Sequence, residues 1–225
     1  MPIVRGYNGD IDAGTETVVP AGGLWLPPTA ARVHAVVSGS ASDAAAGTGA
    51  RTLLLTGILA SGAESIEIIT LNGTTPVNSS GSYIHVTSLE VLTAGSGGVN
   101  AGIITATAAT DSTVTCSMHT GDNRSSGALL FAARPGDQFQ LREVHVATAV
   151  HGAATVSHQA FLALGSTRAG SVVRRLPLTA TYSGATTAFT LPVEAVLQQG
   201  EWARVDVTSS AANTVVFASI NYKVS

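Results

Sequence analysis

Between Asp43 and Ala106 the chain repeats one pattern: a strand-length run of β-branched and aliphatic residues, then a corner built from glycine and other small residues. The runs are Arg51–Thr56, Glu64–Leu71, Tyr83–Leu92 and Ile103–Thr107. Branched side chains of this kind pack well on a pleated surface. Asn72-Gly73 follows one of the runs, and both residues tolerate a positive φ, so the pair marks a turn. These residues dictate an antiparallel β layer with glycine-rich corners. They contain no constellation that performs chemistry.

The same pattern continues on both sides. Residues 1–30 read as an irregular N-terminal arm, because Asn8-Gly9-Asp10, Gly14, Pro20, Gly22-Gly23 and Pro27-Pro28 interrupt it too often for a regular element. Leu24, Trp25 and Leu26 lie in that arm, and large apolar side chains in a loop need a surface to cover. They are the candidate interface residues, docking on a neighbouring chain rather than folding back. Residues 31–108 form a β layer domain, with Arg32–Val37 added to the four runs above. Residues 109–225 form a jelly-roll-like β-sandwich from Thr113–Met118, Ala128–Ala133, Gln138–Ala147, Thr155–Leu164, Val172–Thr181, Thr187–Leu191, Arg204–Thr208 and Val215–Val224. A single larger sandwich is the alternative to a boundary near residue 108. The one helical candidate is Val193–Gln199, ended by Gly200. The expected fold is all-β: an antiparallel β-sandwich, jelly-roll-like, with the irregular arm.

At 225 residues the chain can bury a real core. Only 11% of it is charged and the formal net charge is −3, which gives nucleic acid nothing to hold. Low charge with abundant Val, Thr and Ile describes a folded β subunit with much of its surface covered by neighbours. Cys116 is the single cysteine, so no intramolecular disulfide forms, and its strand-like neighbours predict an inert core thiol. The first residues, MPIVRGYNGD, lack the apolar region of a secretory signal. No run reaches the length of a membrane-spanning helix, so a soluble protein made in the cytoplasm is expected, with no membrane partner.

Chemistry-bearing patterns do not assemble. Asn8-Gly9-Asp10-Ile11-Asp12 alternates oxygen ligands, but Ala13 and Val19 stand where a calcium loop needs Gly and Glu, so an Asx-rich turn is expected. Glu64 and Glu67 are three apart on a strand and point to opposite faces, so they cannot flank one bond. His34, His85, His119, His145, His151 and His158 are scattered without metal-ligand spacing. Gly95-Ser96-Gly97-Gly98 lacks the end of a phosphate loop and reads as a flexible corner. The reading is therefore no enzyme: no catalytic, cofactor-binding or metal residues, and no cofactor.

GTGARTLLLTGILASGAESIEIITLNGTTPV followed by AGSGGVNAGIITATA resembles a family of tailed-bacteriophage virion structural proteins. That family pairs a DAAAGTGART-type loop and strand with a TLNGTTPV turn and an AGSGGVNAG-type loop. The likeness is dense over Asp43–Ala106, looser at Asp10–Gly14 and Pro28–Val37, and only echoed by Gly121-Asp122-Asn123 and Arg134-Pro135-Gly136. It implies a virion location after synthesis in the host cytoplasm. The low charge and the apolar arm then point to a capsid decoration (cement) protein that stabilises the head. Its expected partners are the major capsid protein or other virion proteins, and it is expected to form a homo-trimer matched to threefold points of the lattice. The alternative is a receptor- or glycan-binding head-fibre or tail-associated protein, for which Phe189, Tyr182 and Trp202 are the aromatics to watch. A shell stabiliser of this kind works by burying uncharged surface.

Overall fold

The computed structural model describes residues 2–150, 157–167, 174–177, 182–183, 186–210 and 214–225. Its first strands are β1 (Ile3–Ile11), β2 (Gly14–Thr17), β3 (Arg32–Ser38), β4 (Ala50–Leu59), β5 (Glu64–Thr70), β6 (Val77–Ala94), β7 (Ile104–Ala108) and β8 (Val114–Met118). There follow β9 (Leu129–Phe131), β10 (Gln138–Val150), β11 (Ser157–Ser166), β12 (Arg174–Pro177), β13 (Tyr182–Ser183), β14 (Thr186–Gln198), β15 (Glu201–Ser209) and β16 (Thr214–Val224). No helix occurs among the described residues, and the strand ladders are antiparallel. The fold is all-β and sandwich-like.

The chain divides into two compact units, one made of Met1–Leu24 with Gly127–Ser225 and the other of Trp25–Ser126. This differs from the division at residues 30 and 108. The cause is pairing across the whole sequence: β1 hydrogen-bonds to β16 in register, Ile3 opposite Asn221 and Asn8 opposite Val216. The N-terminal residues are thus no irregular arm. Asn8 pairs with Val216 within β1, and the strand is only bulged, not ended, at Gly9-Asp10, where the register shifts before Ile11 pairs with Thr214. The partner strand supplies the ladder bonds that local propensity does not. Ile11 and Val18 are fully buried in the core of this unit. Removing residues 1–28 would take β1, Ile11 and Val18 out of this unit's core.

The first unit packs two sheets face to face, in orders β1-β16-β10-β14 and β12-β11-β15-β9. Leu141, Val144, Val146, Val216 and Ile220 from one sheet meet Ala160, Leu162, Val205 and Val207 from the other. Alternation along each strand assigns these residues inward. Gly6 lets β1 pass close by: a Cβ there would lie 2.1 Å from the Ala128 nitrogen and 2.2 Å from the Val18 oxygen. The predicted helix at Val193–Gln199 is instead the second half of β14, with Val196 opposite Gln140 and Leu197 opposite Phe139. Seven residues are too few for a helix to resist a neighbouring ladder.

The second unit is one six-stranded sheet in order β5-β4-β6-β3-β7-β8. β6 runs for 18 residues; its first part pairs with β3 and its second with β4. Register shifts along the β4–β6 pair bend the strands. The sheet curls, and one apolar cluster joins Val36, Leu53, Leu55, Ile69, Leu89, Ile104 and Met118 from all six strands. The strand expectations at Arg32–Val37, Arg51–Thr56, Glu64–Leu71, Tyr83–Leu92, Ile103–Thr107 and Thr113–Met118 each fall on an observed strand here.

Candidate functional site

Two places concentrate polar groups in an organised way. The first is at the corners of the second unit, where the glycine-rich loops around Asp43, Asn72-Gly73 and Gly95–Gly102 meet. Asp43 is fully buried. Its Oδ1 accepts the Ala50 N–H at 2.7 Å and the Ala101 N–H at 2.8 Å, and its Oδ2 accepts the Ser38 hydroxyl at 2.6 Å and the Gly102 N–H at 3.0 Å. The Gly73 N–H donates to the Asp43 carbonyl at 2.7 Å. Asp43 therefore ties the DAAAGTGA loop and the AGSGGVNAG loop together through its carboxylate, and the Asn72-Gly73 turn to them through its main-chain carbonyl. The corner at Gly95–Gly98 is accordingly docked rather than loose: Gly95 N donates to Gly49 O at 2.7 Å and Gly97 N to Thr48 O at 2.8 Å. The glycines are needed for this approach, since a Cβ on Gly49 would sit 2.1 Å from Asp43 Oδ1 and one on Gly95 2.2 Å from Gly47 O.

A second clamp joins the same loop to the turn around Gly121. Asn100 is fully buried and exchanges bonds with Asn123: the Asn100 N–H donates to Asn123 Oδ1 at 3.1 Å and the Asn123 N–H to Asn100 Oδ1 at 3.0 Å. Asn123 adopts φ 57° to do so, a conformation asparagine tolerates better than most residues. These polar groups are spent on backbone partners and, at Asp43 Oδ2, on the Ser38 hydroxyl as well. The Asp43 centre is a fastener, with no group left over to meet a substrate.

The second place is the outward face of the sheet β1-β16-β10-β14. The ladders put Arg5, Ser219, His145 and Thr190 side by side across the four strands. The next outward row is Tyr7, Phe217, Ala147 and Ala188. Two aromatic rings thus stand beside two alanines, and the step between them is a cleft of about 460 Å³. Phe217 is 53% exposed and is backed by Tyr7, with ring centroids 4.7 Å apart. His145 is held by neighbours on both sides: Asn221 Nδ2 lies 3.1 Å from its Nε2 and 3.2 Å from Glu143 Oε2, and Thr190 Oγ1 lies 2.6 Å from its Nδ1. With Asn221 Nδ2 donating to Nε2, the imidazole proton is on Nδ1 and is donated to Thr190 Oγ1. The threonine O–H is then left pointing elsewhere.

The residues singled out in the sequence are dispersed. Trp25 is 3% exposed; its Nε1–H donates to the Thr115 carbonyl at 3.2 Å and its ring meets His85 edge-on at 5.8 Å. It is a core residue of its own chain, not part of an exposed docking surface, whereas Leu24 and Leu26 are 48% and 44% exposed. Trp202 is buried under the Arg204 guanidinium, 5.0 Å from its ring centre. Phe189 packs against the core, and the side chain of Tyr182 and all of His151 lie outside the described residues. Asp10 N donates to Asn8 Oδ1 at 3.0 Å, an Asx turn, and Glu16 closes that segment by accepting the Asp12 N–H at 2.9 Å. Glu67 accepts both the N–H and the hydroxyl of Ser80, while Glu64 is exposed on the opposite face. Among the described residues no three His, Cys, Asp or Glu side chains gather to hold a metal ion.

Cys116 packs against the second unit's core, and burial pushes its thiol up to about 11, which leaves little thiolate for chemistry. Asp43, Asn100, Phe217 and Tyr7 were not singled out by sequence reasoning. For Asp43 a signal existed: a lone carboxylate opening a glycine-rich loop in a chain this poor in charge. Phe217 could be found only from which neighbours flank it. Compared with known proteins, the chain matches no family model and no curated protein.

Proposed function

We propose that this protein is a structural subunit of a tailed-phage virion, a capsid decoration (cement) protein that acts as a homo-trimer and performs no catalysis. The observation that carries the reading is β5. It is the outer strand of its sheet, and it presents Ile66 and Ile68, 58% and 64% exposed, the two most exposed large apolar side chains among the described residues. They stand opposite Thr56 and Leu54 on β4, so the apolar strip continues one strand inward. An edge strand with unpaired backbone groups and apolar side chains is a template for pairing with another chain. Proteins that remain single usually blunt such an edge with charge, proline or a bulge. On β5 the charge is confined to Glu64 at the start of the strand and to Glu67, which is turned to Ser80, so Ile66 and Ile68 stand side by side uncharged. A shell subunit that cements its neighbours uses such an edge. The motif loops support the same reading, since their polar groups are consumed in bracing the corners of this sheet.

The test is binding of purified protein to capsids that lack it. Replacing both Ile66 and Ile68 with serine should leave the subunit folded and weaken decoration by at least roughly tenfold, the loss expected for two truncated interface anchors. Undiminished decoration by the double variant, or no binding of the unaltered protein to any shell, would remove the cement role.

A further inference from the structure

We propose that the outward face of the sheet β1-β16-β10-β14 is a binding site for an acidic saccharide, a pyranose unit bearing a carboxylate. This inference stands apart from the cement role, which rests on the other unit.

Shape comes first. Adjacent strands are about 4.8 Å apart, so the Ala147 and Ala188 positions form a floor roughly as wide as one sugar ring. Phe217 stands beside that floor, exposed on the cleft side and supported from behind by Tyr7. An aromatic ring held in place by a second ring loses little freedom when something stacks on it. Sugar rings offer a face of C–H groups to such a platform, with hydroxyls around the rim.

The polar row supplies the rim's partners. Thr190 Oγ1 already accepts from His145 Nδ1, which commits its own hydrogen to an outside acceptor. The Ser219 hydroxyl makes no hydrogen bond among the described residues. His145 is fixed from behind by the Asn221 amide, which Glu143 holds in turn, so the row is oriented before any ligand arrives. An apolar peptide side chain filling the hollow would leave these hydroxyls without partners. A polyhydroxylated ring satisfies them.

Charge selects within that class. Among the described residues Arg5 is the only Arg, Lys, Asp or Glu in the lining. It forms no ion pair among the described residues. A guanidinium at the end of a hydroxyl-lined cleft offers a forked pair of donors to a carboxylate. Glu143, the nearest acid of the row behind, is turned to Asn221 and His145 and is not in the lining.

Saturation-transfer NMR on the full-length protein would test this, using the methyl glycosides of glucuronic and galacturonic acid and of their neutral parents, glucose and galactose. The expected result is transfer to at least one acid in clear preference to its neutral parent, strongest at the ring C–H protons and weakened by salt. Phe217→Ala should weaken binding by roughly tenfold, as loss of an aromatic anchor does. Arg5→Gln should abolish the preference for the acid, and Thr190→Val, which keeps the shape, should weaken binding. Because Phe217 and Arg5 both point outward, unchanged melting of the variants would show that the fold is intact. No transfer to either acid at millimolar concentration, equal binding of acids and neutral sugars, or binding indifferent to Phe217→Ala overturns the proposal.

Discussion

At the scale of single residues, stability in the second unit depends on polar groups that are buried and paired. Asp43 takes four hydrogen bonds with no exposure to water. Asp43→Ala would leave three backbone N–H groups and one hydroxyl without their acceptor, so a loss of at least about 3 kcal/mol is expected, read as a lowered urea midpoint. Two histidines impose a pH dependence of known sign. Burial, and then the neighbouring His34, hold His85 down to about 3, and burial also lowers His34. In the unfolded chain both protonate near 6.5. Between about pH 6.5 and 3 the unfolded state therefore binds protons that the folded state refuses, and stability falls as pH falls through that window. For His85 the loss amounts to roughly 5 kcal/mol at its full extent. Comparing urea midpoints at pH 7 and pH 4 for the natural protein and for His85→Phe should show a shallower slope in the variant. Equal slopes would count against this account.

At the scale of elements, the edge strand β5 and the inner strands answer differently to substitution. Ile68 is mostly in water, so Ile68→Lys should change the stability of the isolated subunit by less than about 0.5 kcal/mol, while placing a charge on the edge that opposes pairing with another chain. Ile69, one residue on, faces the core and is 4% exposed. Ile69→Ala should cost about 2–5 kcal/mol by the lost burial and the cavity left behind. Chemical denaturation of the two variants side by side would test the assignment of faces. A destabilising Ile68→Lys together with a neutral Ile69→Ala would mean that the strand is out by one residue, which reverses every side chain.

At the scale of the whole molecule, the two units are built differently along the chain. Trp25–Ser126 is one continuous segment with a closed apolar cluster of its own, whereas the other unit joins residues from both ends of the sequence. Residues 25–126 produced alone should give a β-type circular dichroism spectrum and a cooperative melt. The full chain should show β signal with almost no helical component. A fragment that remains unfolded would mean that its sheet needs chain from outside this segment.

Much of the strand content was legible from the residues, and the reason is local. Glu64–Leu71 and Gln138–Ala147 carry β-branched and aliphatic side chains whose preference for extended backbone acts at each position. The alternation of Val216, Ala218 and Ile220 placed the core face of β16 correctly, because side chains alternate along any strand. What only the tertiary structure decided was which distant segments meet. Asn8 and Gly9 break strands by propensity, yet β1 runs through them with no more than a bulge, because β16 offers a ladder to Ile3–Asn8 and Ile11 from more than 200 residues away. Trp25 reads as an exposed anchor until Thr115 and His85 are found around it. Asp43 becomes a fastener, and Phe217 a platform, only when Ala101 and Gly102 arrive beside one, and Tyr7 beside the other. Local preference sets the backbone of each run, but partnership is a property of the folded chain. The same residue is loop, core or surface according to what packs against it.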